Sequence, residues 1–288
     1  MSQKDTSDRF DRNEIVIRVV NLVKSFGGRR VLDGVNLEVR RGETMVIMGG
    51  SGCGKSTLLR HMIGSLFPDE GYVELFGQNL NELDDKSLDS LRLRFGILFQ
   101  SGALYNSMTV GENVALPLRE HTNHDEDTIQ IMVKIKLEQV GLRYAEDLMP
   151  SEISGGMKKR AGLARAIALD PEILFYDEPS AGLDPVTSAE IDQLIMNLSR
   201  KLGVTSVVVT HEMDSAFRIA DRMAMLDAGK VLKVGHRSEF EALRDGPETG
   251  DEQLDLIRQF IRGDSDGPIT RRRSSTGFME DVLRVAED

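Results

Sequence analysis

The segment GGSGCGKST, residues 49–57, constrains this chain most, because it satisfies the pattern G-x-x-x-x-G-K-[ST]. The apolar run TMVIM precedes it and the helix-forming run LLRHMIG follows it, which is the context that a phosphate-binding loop needs. Glycines let backbone N–H groups turn towards a phosphate, and the helix presents its positive N-terminal end to the same charge. We therefore predict nucleotide binding, with Lys55 reaching the β- and γ-phosphates and Ser56 ligating Mg²⁺. The predicted nucleotide-binding residues are Gly49, Gly50, Ser51, Gly52, Cys53, Gly54, Lys55, Ser56 and Thr57.

Two adjacent carboxylates end a second apolar run, ILFYDE, at residues 173–178. We predict a buried strand that delivers Asp177 and Glu178 to the carboxyl edge of a sheet, where doubly wound sheets bind their ligands. Asp177 is suited to hold Mg²⁺ through its water shell, and Glu178 to orient or deprotonate an attacking water. An isolated string of this kind is more often an ordinary strand end, but a phosphate loop upstream reverses that preference.

Two single polar residues follow other predicted strands of the same sheet. Gln100 follows FGILF and His211 follows VTSVVVT, so both are placed to face the γ-phosphate. Taken alone, each is typical of a polar residue whose side chain forms hydrogen bonds with nearby groups and has no role in function. We count Gln100 and His211 as catalytic candidates with Glu178, and Gln100 as a further Mg²⁺ ligand with Ser56 and Asp177.

A second glycine turn opens the long helical sequence ISGGMKKRAGLARAIAL. The hydroxyl of Ser154, the amides of Gly155 and Gly156 and the helix terminus can all face a phosphate. One mononucleotide does not need two such turns unless the second serves a neighbouring chain. The alternative is a serine N-cap followed by two glycines.

Short β-branched runs alternate with helical patterns along the chain, which predicts an α/β fold with a mainly parallel sheet. The sequence VNLEVRRGETMVIM predicts two strands joined by a tight turn at residues 41–43, and hence a small antiparallel β layer near the N-terminus. We expect a flexible segment at residues 1–14 and one nucleotide-binding domain at residues 15–245, with an inserted helical subdomain at about residues 100–153. A linker, a helix and an extension are expected at residues 246–288.

The composition excludes some classes of function. The 36 Lys and Arg against 47 Asp and Glu give a net charge of −11, which opposes binding to nucleic acid. The single cysteine cannot form an internal disulfide, which fits a reducing compartment, and we interpret Cys53 as a small filler in its loop. We expect a cytosolic chain, since MSQKDTSDRFDRNE is no export signal and the apolar runs are too short to span a bilayer.

The ordered set of motifs resembles the ATPase subunits of ABC transporters over about residues 16–243. The motifs are GGSGCGKST, Gln100, ISGGM, ILFYDE, SAGLD at residues 180–184, and His211. The resemblance implies a P-loop NTPase of ABC type and a head-to-tail homodimer with two ATPs. Each ATP would lie between the phosphate loop of one chain and the Ser154-Gly155-Gly156 turn of the other.

The same resemblance implies roles for two further residues. Asp184 would form a contact across the dimer, and Phe26 would stack on adenine, although aromatic residues near strand ends are more often core. Met157 stands where the family signature usually has glutamine. We expect a small effect of this difference, since the phosphate contacts come from the serine and glycines.

A narrower resemblance, in residues 99–122, is to the ATPases of MCE/Mla phospholipid transport systems. It implies an ATPase at the cytoplasmic face of the inner membrane, with a membrane permease and with MCE-domain and STAS-domain subunits as partners. Phospholipid would be the cargo of the complex, and ATP and Mg²⁺ the cofactors. The run Arg271-Arg272-Arg273 would meet lipid headgroups or an acidic partner, or form an ordinary solvated surface.

Three other functions stay open at this point. The first is an ABC importer ATPase for another substrate, and the second is a soluble ABC ATPase that acts on nucleic acid or ribosomes. The net charge opposes the second, as does the lack of a second ATPase half or a long coiled-coil insertion. The third is a small-molecule kinase, which leaves the Ser154 turn and His211 unexplained.

Overall fold

The computed structural model describes residues 13–270 as ten strands and nine α-helices, arranged as two sheets with helices around them. The strands are β1 (Ile15–Phe26), β2 (Arg29–Arg40), β3 (Thr44–Met48), β4 (Glu70–Leu75), β5 (Gln78–Asn79), β6 (Phe95–Leu98), β7 (Ile173–Asp177), β8 (Thr205–Thr210), β9 (Arg222–Asp227) and β10 (Lys230–His236). The helices are α1 (Lys55–Met62), α2 (Asp85–Arg92), α3 (Val110–His121), α4 (Glu126–Gln139), α5 (Gly155–Ala166), α6 (Pro185–Leu202), α7 (Met213–Ile219), α8 (Arg237–Asp245) and α9 (Glu252–Arg262).

The larger sheet has six strands in the order β6-β7-β8-β3-β9-β10. The neighbours from β6 to β9 are parallel, and only β10 runs antiparallel to its neighbour. All residues of β3 and β8 are buried, which explains why their sequences are continuous apolar or β-branched runs. Because the parallel strands share one direction, the residues that follow β3, β6, β7 and β8 meet at one edge of the sheet.

The smaller sheet is antiparallel, with the order β2-β1-β4-β5, and forms the predicted N-terminal β layer. The turn at residues 41–43 joins β2 to β3 as predicted, but the implied pairing of these two strands is wrong. β3 has β8 on one side and β9 on the other, so it has no free edge for β2. β2 instead pairs with β1, for example through Val19 opposite Leu37.

Residues 100–153 contain α3, α4 and two short 3₁₀ turns. The N-terminus of α3 is fixed by Thr109, whose hydroxyl accepts from the backbone N–H of Glu112 while the Glu112 carboxylate accepts from the N–H of Thr109. Val114 of α3 and Val133 of α4 are fully buried in the same hydrophobic cluster as Met48 of β3. The helical region therefore shares a hydrophobic core with the parallel sheet, and α3 packs on α5, which packs on β6.

The C-terminal helix α9 also belongs to that cluster, through the buried residues Leu256, Ile257 and Ile261. The division of the chain at residue 245 stays a prediction. Residues 1–12, most of the expected flexible segment, lie outside the described residues, as does the Arg271-Arg272-Arg273 run. Within residues 13–270, no helix is both long and apolar enough to cross a bilayer.

Candidate functional site

The phosphate loop joins β3 to α1 and is shaped by two glycines that no other residue can replace without displacement. A Cβ atom on Gly49 would lie 2.1 Å from the carbonyl oxygen of Leu226 in β9. Gly54 has a φ of +111°, and a Cβ there would lie 2.8 Å from Cδ2 of Leu32 in β2. The loop is thus pressed against two neighbouring strands, which holds its backbone in position.

Lys55 begins α1 and its ammonium lies inside the loop. Its side chain is 7% exposed, and Nζ donates to the carbonyl oxygens of Gly49, at 2.8 Å, and Gly50, at 3.1 Å. Nζ also lies 4.0 Å from Oε1 of Glu178. The positive charge therefore faces the centre of the loop and the end of β7 together.

Cys53 fills space beneath the loop. It is buried, and its Sγ lies 2.7 Å from where a Cβ on Gly49 would be. Burial raises the pKa of the Cys53 thiol, with a smaller opposing effect from the charge of Lys55. The thiol is therefore kept neutral, as expected for a packing residue.

Asp177 ends β7 and faces α1. Its Oδ1 accepts a hydrogen bond from the hydroxyl of Ser56 at 3.3 Å. Burial raises the pKa of the Asp177 carboxyl, against the Ser56 hydrogen bond and the charges of Arg60 and Lys55. A hydroxyl and one carboxylate are hard oxygen donors, and Mg²⁺ in nucleotide sites uses few protein ligands, so these residues fit that ion. Residues 13–270 hold no group of three or more His, Cys, Asp or Glu arranged for a metal.

Glu178 follows β7 with its backbone in the left-handed region, at a φ of +51°. A non-glycine residue in that region costs about 1–3 kcal/mol, so the surrounding structure has to hold it there. Its N–H donates to the carbonyl of Val209 in β8 at 2.9 Å. Its Oε2 lies 2.9 Å from Nδ1 of His211 and accepts from the His211 backbone N–H at 3.3 Å. Glu178 and His211 are thus one hydrogen-bonded pair next to Lys55.

Gln100 lies two residues beyond the end of β6, is exposed, and sits at the same carboxyl edge of the sheet. Phe26 ends β1 and is 49% exposed, with Nζ of Lys24 5.7 Å from its ring centroid. An exposed ring is available for stacking on a base. The predicted roles of these two residues stay predictions.

The second glycine turn begins α5. Ser154 caps α5, and its hydroxyl accepts from the N–H of Met157 at 3.3 Å. Gly155 is exposed, whereas a Cβ on Gly156 would lie 2.5 Å from Cγ2 of Thr187 in α6. The turn thus packs against α6 through Gly156, while Ser154 and Gly155 are exposed.

Asp184 caps α6, and it is exposed next to the second glycine turn. Its carboxylate accepts from the hydroxyl of Thr187 at 2.6 Å and from the N–H groups of Val186 and Thr187. The side-chain hydrogen bond from Thr187 lowers the pKa of Asp184. The carboxylate is therefore ionised on the same outer surface as the turn.

The sequence analysis missed Lys159, which joins the two parts of the site. It lies in α5, is buried, and donates through Nζ to the carbonyl oxygens of Ala181, at 2.7 Å, and Glu178, at 3.3 Å. Burial lowers the pKa of the Lys159 ammonium, against the charges of Glu212 and Glu178. The only sequence signal is the basic run KKR, which does not tell which residue turns inward.

A phosphate loop around a buried lysine, a carboxylate pair at a neighbouring strand end and an outward Ser-Gly-Gly turn define an ATP-binding cassette. The family model described as ABC transporter matches residues 32–181, and the chain belongs to this family. It is an ATPase that binds ATP.

Among known proteins, the chain is 41% identical to the intermembrane phospholipid transport system ATP-binding protein MlaF of Haemophilus influenzae, over 94% of this chain and 99% of that protein. It is 44% identical to the probable ribonucleotide transport ATP-binding protein mkl of Mycobacterium leprae, over 88% of this chain and 71% of that protein. The dimeric ATP-binding cassette MJ0796, in a post-hydrolysis state with ADP and Pi, superposes with a TM-score of 0.71 at 32% identity. That match covers 77% of this chain and 98% of MJ0796.

Proposed function

We propose that this chain is the ATP-hydrolysing subunit of a complex that moves phospholipid between the inner and outer membranes and so maintains outer-membrane lipid asymmetry. The observation that carries the proposal is the similarity to MlaF from end to end, over 94% of this chain and 99% of the relative. The similarity to mkl, which spans 71% of that relative, favours a second candidate, an importer ATPase for another substrate such as a ribonucleotide.

The chemistry that we assign to the site is transfer of the γ-phosphoryl group of ATP to water. The Lys55 ammonium donates to the carbonyl oxygens of Gly49 and Gly50. When ATP enters the loop, this ammonium turns to the β- and γ-phosphates. Glu178 orients the attacking water and accepts its proton, while the bond between the γ-phosphorus and the bridging oxygen breaks and ADP leaves. His211 fixes the Glu178 carboxylate through the 2.9 Å contact.

Ser56, Asp177 and Gln100 are the residues that we assign to Mg²⁺, with the Asp177 contact made through water. The ion neutralises charge on the β- and γ-phosphates when it is bound. The Ser56 hydroxyl and the Asp177 carboxylate are already within 3.3 Å of each other, so little rearrangement is needed to present both to one ion.

The site is completed by a second copy of the chain. Ser154, Gly155 and Asp184 are exposed at the N-termini of α5 and α6. In a head-to-tail homodimer, each turn faces the γ-phosphate that the other chain holds, and Asp184 lies at the contact between the chains. The turn then stabilises transition-state charge through its hydroxyl, amides and helix terminus.

The permease is the membrane partner that we propose, and a groove between the sheet and the helical region is where we expect it to dock. The groove encloses about 1460 Å³ and is lined by β6, α2, α3 and the end of α5. Its apolar and aromatic lining includes Leu93, Phe99, Tyr105, Leu116, Pro117 and Leu169. We place the assembled complex, with its MCE-domain and STAS-domain subunits, at the inner membrane with this chain on the cytoplasmic face.

The experiment that tests this function is purification of the tagged chain from detergent-solubilised membranes of its own bacterium. We expect a permease with several membrane spans to co-purify, and the reconstituted complex to move fluorescent phospholipid between vesicles only with ATP. The complex with Glu178→Gln is the control and moves no lipid. Co-purification of RNA without a membrane protein, or ATP-driven uptake of a ribonucleotide in place of phospholipid, contradicts the proposal.

A further inference from the structure

Lys159 is a buried lysine on the helix that begins with the Ser154 turn. Its side chain is 5% exposed, and both hydrogen-bond acceptors that it contacts are backbone carbonyl oxygens, of Ala181 at 2.7 Å and Glu178 at 3.3 Å. A buried ammonium costs several kcal/mol unless it is hydrogen-bonded, so an apolar residue would fill this space more easily. The lysine therefore has a role that depends on its N–H donors.

The two acceptors belong to the segment 178–184, which links the end of β7 to the first residue of α6. The Glu178 carbonyl also accepts from the N–H of Ala181 at 3.2 Å, which closes a turn. Because Glu178 has a left-handed backbone, its position depends on contacts that hold this turn. Lys159 supplies one such contact from outside the segment, and it holds both ends of the turn at once.

The same helix presents a phosphate-binding turn at its N-terminus. Ser154 caps α5, and Lys159 lies between one and two turns further along, so the two residues move with one rigid element. In the homodimer described above, Ser154 faces the ATP of one site, while Lys159 holds the backbone of Glu178 in the other site.

We propose that Lys159 is a positioning residue that couples the two ATP sites: ATP captured by the Ser154 turn at one site fixes, through α5 and Lys159, the backbone of Glu178 at the other. This inference rests on the proposed function, because it requires the two-chain site. It predicts that hydrolysis depends cooperatively on ATP, and that the cooperativity passes through the Lys159 ammonium.

The test compares three variants of the full-length chain. Lys159→Met removes the donors but keeps an unbranched side chain, and Lys159→Arg keeps a donor. Lys136→Met is the matched control, because Lys136 is also buried, lies on a neighbouring helix, and pairs with Asp170 away from the site. For each variant we would measure kcat, KM and the Hill coefficient of ATP hydrolysis, the affinity for a fluorescent ATP analogue, and the melting temperature.

We expect Lys159→Met to lower kcat by about 100-fold, because a small misplacement of a reacting group has effects of that size. Its Hill coefficient should fall from a wild-type value approaching about 2 towards 1. Its affinity for the nucleotide analogue should stay within about twofold of wild type, because Lys55 and its loop are untouched. Lys159→Arg should recover most of kcat, and Lys136→Met should lose stability but keep kcat and the Hill coefficient.

A Lys159→Met protein with wild-type kcat and Hill coefficient overturns the coupling role, as does one whose loss of kcat is matched by Lys136→Met. Glu178→Gln, measured beside these variants, tests the proposed ATP hydrolysis independently of Lys159. If Glu178→Gln loses turnover while Lys159→Met does not, the catalytic assignment stands and only the coupling through Lys159 is refuted.

Discussion

Four contacts place the Glu178 carboxylate and its backbone at the centre of the site. The carboxylate lies 2.9 Å from the His211 ring and 4.0 Å from the Lys55 ammonium. The backbone is held by Val209 through its N–H and by Lys159 through its carbonyl. A left-handed backbone at a carboxylate is a local cost of about 1–3 kcal/mol, and such costs persist where function needs the geometry.

Cys53 gives a prediction that depends on protonation. Because burial raises the pKa of its thiol, less of the reactive thiolate is present at neutral pH in the folded protein. We expect iodoacetamide to alkylate Cys53 at least about tenfold more slowly in native protein than in urea-unfolded protein at pH 8. The rate in native protein should rise as the pH rises, and mass spectrometry measures it. Equal rates in native and unfolded protein would contradict the packing role.

Much of the site at this scale could be predicted from the sequence, because the phosphate loop is a local pattern whose chemistry follows from its spacing. Ser56 and Asp177 were predicted from two separate motifs, and the structure brings them within 3.3 Å of each other. The contact from Lys159 could not be predicted. It depends on which of three consecutive basic residues faces inward, and that is decided by the packing of α5 on segment 178–184.

At the scale of elements, α5 is the part of the fold that relates the two anion-binding turns. Its N-terminal turn faces outward, while its buried face packs on the sheet and on α3. The strand pairing of β2 shows why elements were harder to predict than motifs. The turn at residues 41–43 is local and was predicted, but the partner of each strand is fixed by long-range pairing with β1, β8 and β9.

Replacing Ser154 by tyrosine tests whether the Ser154 turn acts on ATP held by another chain. The large side chain blocks the approach of a phosphate held by another chain, and removal of such a stabilising group typically lowers kcat by about 100-fold or more. We expect that loss in steady-state ATP hydrolysis, while binding of a fluorescent ATP analogue is retained. The same change at Ser238, which is exposed on α8, is the control and should leave kcat unaffected. Loss of nucleotide binding in Ser154→Tyr would contradict a turn that serves the other chain.

Replacing Leu116 by glutamate tests whether the permease docks in the groove. Leu116 lies on α3 and lines the groove, so a charge there opposes burial of the permease. We expect recovery of the membrane partner in pull-downs to fall by roughly tenfold or more, with unchanged ATP hydrolysis by the isolated chain. Leu202→Glu, at the exposed end of α6, is the matched control. Equal recovery with both variants would place the docking surface elsewhere.

For the whole molecule, the net charge of −11 excluded few classes of function. The overall charge does not describe the local charge around the nucleotide-binding residues. The phosphate loop holds the Lys55 ammonium at the N-terminus of α1, so an anion meets a positive charge there although the chain as a whole is acidic. The fold places one complete phosphate loop and one outward turn on each chain. In the proposed homodimer, two chains together surround each ATP.

The central claim is that ATP is hydrolysed in a site shared by two chains, and the oligomeric state of Glu178→Gln tests it most directly. This variant should bind ATP but not hydrolyse it, because the group that accepts the proton of water is gone. Light scattering after gel filtration should give the mass of two chains with Mg²⁺ and ATP, and of one chain without nucleotide. The Lys55→Ala protein should stay monomeric in both conditions. A Glu178→Gln protein that stays monomeric at saturating ATP, or that hydrolyses ATP at a near-normal rate, would contradict the account.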